Sequence, residues 1–273
     1  MPRGNRVVYQ IKPKPRKPFS KRAVLVSGVL VSAAIIFFAL WYAVRMPYLR
    51  VDRVEISGMQ LLSASEIEQA VRADLSGFFW LVIPRDNFFF ISSRRISDDI
   101  PRKFPQLSSM EVDKKFPKKI VITVKERQLW GVYCFRLPAA ISTPCFYLDT
   151  RGTAYEEFSR FEGWLLPLVY GPEAPKLGEA AVSAEKLEFF REARAAMESA
   201  GRRLLSMGLS TTTPDDVRLG LAEGWEVWVT ATRPVAEWLG ALKTLLESDV
   251  GEKRFQLEYA DLRFGSKIFY KYR

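Results

Sequence analysis

The chain has 273 residues, a formal net charge of +10 and no histidine. The missing histidine removes Ser-His and Cys-His nucleophile pairs and most zinc sites, and nothing matches the phosphate loop G-x-x-x-x-G-K-S/T or the dinucleotide pattern G-x-G-x-x-G. Neither catalysis, nor a cofactor, nor a metal, nor a small-molecule substrate is expected.

Residues 1–22 hold eight Lys or Arg and no acid. They account for most of the net charge, so the basic balance is a topology signal. Nucleic-acid binding would need a basic patch on the folded part. Within this arm, Ile11 to Pro18 alternates proline with cations, which neither propagates a helix nor collapses. Its cations fit an anionic lipid surface or a partner, or serve topology alone.

Ala23 to Val44 is a run of 22 residues without a charge. As a helix rising ~1.5 Å per residue it spans ~33 Å, enough for a ~30 Å hydrocarbon layer. A secretory signal has a shorter apolar core and a small-residue cleavage site; here Phe37, Phe38, Trp41 and Tyr42 stand where that site would be. The spacing predicts a membrane anchor. The cation-rich arm predicts a cytoplasmic amino terminus, with the carboxy-terminal part outside.

Val51 to Ser57 alternates as a strand that Gly58 ends. Ser63 and Glu66 form a capping box, and Ile67, Val71 and Leu75 predict an amphipathic helix. The apolar runs Phe78–Ile83 and Phe88–Phe90 are expected in a core. A second helix starts at Ser92 or Ser93, carries Ile96, Ile100 and Phe104 on one stripe, and is kinked or ended by Pro101. Ser109–Lys115 and Ile120–Glu126 then read as a hairpin turning at Phe116-Pro117-Lys118, with Ile120, Ile122 and Val124 on one face.

This order of strand, helix, helix, strand, strand, with VEISG at 54–58, SASEI at 63–67, KFP at 103–105 and KFPKKIVITVKER at 115–127, resembles the POTRA domain of the FtsQ/DivIB family of bacterial cell-division proteins. The resemblance implies an arm at 1–22, a transmembrane helix at 23–44, a POTRA domain at 49–127 and a second, β-rich domain at 128–273.

In that second part, Trp130–Phe135 and Cys145–Leu148 are expected to pair as strands around a loop bounded by Pro138 and Pro144. Cys134 and Cys145 then stand within disulfide reach; a bridge and a pair of small buried apolar residues both fit them. Leu166–Gly171 reads as a loop or short strand. Ser183–Ala200 is a capped helix with Leu187, Phe190, Ala193 and Met197 inward. Leu204–Ser210, Val217–Leu221 and Trp225–Thr230 read as strands. Trp228 is either core or an exposed anchor, core being the commoner fate of a strand tryptophan. A helix follows Pro234, with Val235, Trp238, Leu239, Leu242 and Leu246 on its stripe. The fold class is α+β: one transmembrane helix, then a POTRA domain (β-α-α-β-β), then a mixed β-rich domain with flanking helices.

The chain closes on Asp261, Leu262, Arg263 and Phe264, which match the family's hydrophobic-Asp-Leu-Arg-aromatic motif, and then on Gly265, Ser266, Lys267, Ile268, Phe269 and Tyr270. Alternation puts Ile268, Tyr270 and Tyr272 toward a core and Lys267, Phe269 and Lys271 outward. Lysines on a last strand either guard an open edge or admit a partner strand. In the second case Phe269 is the apolar anchor and the cations select an acidic segment; the resemblance implies this case, with FtsB docking by strand addition near the Asp-Leu-Arg-aromatic motif. It also implies a bitopic inner-membrane scaffold at the division septum, gathering FtsB, FtsL and other divisome proteins. Glu126 and Arg127 close the hairpin, as a solvated pair or a hinge-side partner contact. The competing reading is a polypeptide-transport or envelope-assembly factor, since POTRA modules serve there too; such proteins carry a cleaved signal and a β-barrel, which this sequence does not display.

Overall fold

The computed structural model describes residues 21–79, 83–135, 144–158, 166–210 and 212–273. Residues 1–20 of the basic arm, positions 80–82 of the first apolar run and the Pro138 loop lie outside the described residues. In chain order the elements are α1 (Lys21–Arg45), β1 (Arg53–Ser57), α2 (Ala64–Leu75), β2 (Phe78–Phe79), β3 (Ile83–Pro84), α3 (Ser93–Lys103), β4 (Leu107–Lys115) and β5 (Lys119–Glu126). Then come β6 (Leu129–Phe135), β7 (Cys145–Asp149), β8 (Ala154–Phe158), β9 (Leu168–Gly171), α4 (Ala184–Ser199), β10 (Leu204–Leu209), β11 (Asp216–Leu221), β12 (Glu226–Thr230), α5 (Val235–Leu245), β13 (Leu257–Phe264) and β14 (Lys267–Tyr272).

Two units divide these elements. The described part of the first is residues 21–52, 76–79, 83–91 and 116–118. Among the described residues α1 is the one helix long and apolar enough to cross a membrane. Between Arg22 and Arg45 it carries no charge, as a lipid-facing helix requires, and its Ser32 hydroxyl donates to the Gly28 carbonyl at 2.9 Å rather than facing hydrocarbon unpaired. Beyond α1 the chain is pinned by backbone bonds from Phe88 N–H to Leu49 O and from Val51 N–H to Asp86 O, both 2.8 Å. The expectation of a phenylalanine core is corrected here: Phe88 is buried, but Phe89 and Phe90 are exposed. Asn87 to Phe90 is a turn closed by the Phe90 N–H on the Asn87 carbonyl, so consecutive rings point in different directions.

The second unit begins with a three-stranded sheet ordered β1-β5-β4, β1 parallel and β4 antiparallel to β5. The expected stripe Ile67, Val71 and Leu75 of α2 is buried, as are Ile96 and Ile100 of α3 and Ile120, Ile122 and Val124 of β5. Burial of each such side chain contributes about 1.5–3 kcal/mol. Ser92 caps α3 by accepting from Arg95 N–H, and Pro101 falls in the final turn, where the helix ends. Gly58 ends β1 with φ +91°, and a Cβ there would strike the Val124 carbonyl oxygen, so only glycine fits.

The rest of this unit is one nine-stranded sheet, ordered β14-β13-β12-β11-β10-β9-β6-β7-β8. α4 and α5 pack against one face. Their Leu187, Phe190, Met197, Trp238 and Leu242 meet Met207, Leu219, Val227 and Leu262 of the strands in one core. Ser183 caps α4 from Lys186 N–H. Leu166–Gly171 yields not a peripheral loop but the central strand β9, parallel to both β6 and β10. Its apolar run suits a strand covered on both faces. On the face away from the helices, Cys134 and Cys145 stand opposite each other with Cα atoms 4.2 Å apart and are joined as a disulfide, packed with Val132 and Leu168.

Candidate functional site

The terminal hairpin turns at Gly265 and Ser266, with Gly265 at φ +65° and Phe264 opposite Lys267. β13 carries register irregularities between Leu257 and Tyr259 and between Asp261 and Phe264, bulges that raise the local twist and re-aim side chains. β14 is the last strand of the sheet and, among the described residues, is hydrogen-bonded on one side only.

On β14, Ile268 and Tyr272 pack against the core, while Phe269 is 51% exposed and points to the opposite face. Tyr270 departs from the expected inward set: it is 40% exposed, its ring edge-on to Tyr272 at 5.7 Å. Phe269 meets the exposed ring of Phe264 edge-to-face at 5.5 Å. Together with Tyr259, Asp261, Ser266 and Lys267 these two rings line a shallow, open depression. Lys271 is not a spare cation, because it pairs with Glu258 at 2.6 Å. That hydrogen bond and the carboxylate's charge raise its pKa. Lys267 is exposed beside the depression.

Beneath the rings lies an ion-pair and stacking frame. Asp261 is buried and accepts from Arg263 three times: Nη2 at 2.7 Å, Nε at 2.9 Å and the backbone N–H at 3.1 Å. Arg263 Nη1 also donates to Asp216 at 2.8 Å. The bond to Asp261, opposed by burial and reinforced by Asp216, pushes the Arg263 guanidinium well above its usual value. The guanidinium lies over the rings of Trp228 and Phe264. Trp228 stacks on Tyr259 at 4.2 Å between centroids and carries Arg218 at 4.6 Å. Trp228 is therefore outside the core, part of a cationic-aromatic pile on the sheet's outer face. The sequence reading missed Asp216, Arg218 and Tyr259; alternation places them on this face, but strand order was needed to make them neighbours.

Leu262 faces the core, and its carbonyl accepts from Arg233 at 2.7 Å. The other sheet edge, β8, exposes Glu156 and Glu157.

Glu126 and Arg127 lie elsewhere and do not pair with each other. Glu126 accepts from the backbone N–H groups of Gln60, Leu61 and Leu62 at 2.9–3.0 Å. Burial pushes its carboxyl up, but the Leu62, Gln60 and Leu61 donors outweigh it and hold the pKa below the usual value. Arg127 is no solvated charge: its side chain is 10% exposed and binds Asp149 at 2.6 Å and the Pro105 carbonyl at 2.7 Å. Both residues are engaged inside this chain.

Residues 49–127 match the family model described as POTRA domain, FtsQ-type. This stretch is an FtsQ-type POTRA domain. With one amino-terminal helix apt for a membrane, the chain is consistent with an FtsQ/DivIB-family protein and fits a bitopic division protein. The FtsQ-type POTRA family is one of non-catalytic scaffolds. Among the described residues no group of three or more Cys, Asp or Glu is arranged to hold a metal ion. No curated protein matches the chain.

Proposed function

We propose that this FtsQ-type chain is a bitopic divisome scaffold, amino terminus inside, that recruits an FtsB-type partner, and FtsL-type proteins through it, by strand addition to β14. The observation that carries the reading is the character of that edge. One row of backbone groups is open, and the outward ring, Phe269, stands over a depression shared with Phe264. An extended partner segment would gain backbone hydrogen bonds of ~0.5–1.5 kcal/mol each, with Phe269 buried against it. Lys267 favours an acidic segment. The Asp261–Arg263 frame holds the rings in place.

Co-purification from membranes with the FtsB-type protein of the same organism tests this. Phe269→Ala should weaken capture by on the order of tenfold or more, the scale of one buried aromatic, with an unchanged circular dichroism spectrum. Ile268→Pro removes a donor and bends the strand, and should abolish capture. Normal capture by a folded proline variant would refute strand addition.

A further inference from the structure

We propose that the exposed aromatic cluster following α1 is a second membrane contact, seated at the headgroup level of the leaflet where α1 ends; this rests on the reading of α1 as a membrane span. Four polar links fasten residues 86–88 to residues 44–51. Asn87, wholly buried, donates from Nδ2 to the Val44 carbonyl in the last turn of α1 at 2.7 Å. Arg50 pairs with Asp86 at 2.8 Å, Phe88 N–H reaches Leu49 O, and Val51 N–H reaches Asp86 O. The Asn87 Oδ1 then accepts from Phe89 N–H at 3.0 Å. One side chain thus ties the helix end to the ring two residues on.

The rings held there are turned to solvent. Phe89 is 62% and Phe116 63% exposed, both against the buried Phe88, with Phe90, Tyr48 and Met46 also exposed. A soluble surface rarely gathers so many apolar side chains without a use. Beside the end of a membrane helix, aromatic rings favour the water-lipid boundary. Cations stand at the same level: Arg45 lies over Trp41 at 4.3 Å and Lys118 over Tyr48 at 5.8 Å. Rings with interleaved cations match the chemistry of an anionic headgroup layer. The occupant is lipid rather than protein because the patch is continuous with the span.

The test uses the full chain in vesicles of phosphatidylcholine and phosphatidylglycerol. Nitroxide labels are placed on Phe89→Cys and, separately, Phe116→Cys without reductant, so the native disulfide stays closed. Leu30→Cys in the span and Leu61→Cys on the POTRA surface are the references. Collision with oxygen and with a water-soluble nickel chelate reports depth. The proposal predicts oxygen-to-nickel ratios at Phe89 and Phe116 several-fold above Leu61 and below Leu30. Ratios equal to Leu61 while Leu30 reads as lipid would overturn it and leave the span intact. Labels shielded from both reagents would mean a protein partner or a second copy covers the patch, also overturning it. A water-like Leu30 would remove the span reading and this proposal together.

Discussion

Arg127 and Asp149 form a salt bridge of 2.6 Å with side chains 10% and 3% exposed. Arg127 is the last residue of the matched POTRA stretch, and Asp149 ends β7. Asp149 also accepts from the N–H groups of Arg151 and Thr153 at 2.8 and 2.9 Å, so one carboxylate closes a turn and holds the arginine. Asp149→Ala leaves Arg127 buried without its partner and should cost about 3–5 kcal/mol. Thermal or denaturant unfolding of the purified chain measures it; a loss well under 1 kcal/mol contradicts the assignment.

Glu126 makes a pH prediction. Its carboxyl is held below the usual value in the fold, so its contribution is present above the unfolded pKa and disappears as pH falls through the folded one. Glu126→Gln should flatten that acid-side loss of stability and speed amide exchange at Gln60, Leu61 and Leu62. Equal acid sensitivity in the two proteins would remove the role.

Arg263 holds two carboxylates with a planar fork and lies over two rings. Lysine cannot reproduce that geometry. Arg263→Lys should destabilise by about 1.5–3 kcal/mol, the value of hydrogen bonds to charged groups, and weaken partner capture because Phe264 and Phe269 lose their seat. Calorimetry together with capture at a temperature where the variant is folded checks both parts.

The Cys134–Cys145 disulfide closes a sequence separation of 11 residues. Chain entropy for so short a loop gives roughly 2–3 kcal/mol. Protein taken from cells should show no reactive thiol until reduced, and reduction should lower its melting temperature. Two free thiols in the native protein would argue against an oxidising compartment for this domain.

The stripes of α2 and α4, the Ser92 and Ser183 caps and the β5 alternation arise from neighbours a few residues apart. The non-local features were hidden. β9 enters the centre of the sheet because two distant strands flank it. Asp216 meets Arg263 across 47 residues, and Trp228 faces outward because Tyr259 and Arg263 gather there. Alternation gave Phe269 its direction, yet Tyr270 is exposed although its partners Ile268 and Tyr272 are not. The phenylalanines at 88–90 divide between core and surface because a turn, invisible to hydropathy, splits them.

If β14 is an edge that takes a partner strand, its outward amides leave solvent when the partner binds. Amide hydrogen exchange over Lys267–Tyr272, with and without a saturating FtsB-type ectodomain, tests it most directly. Strong slowing is expected at alternate amides of β14, and it should be reduced in Phe269→Ala at a concentration that just saturates wild type. A complex that forms while exchange along β14 stays unchanged would contradict it.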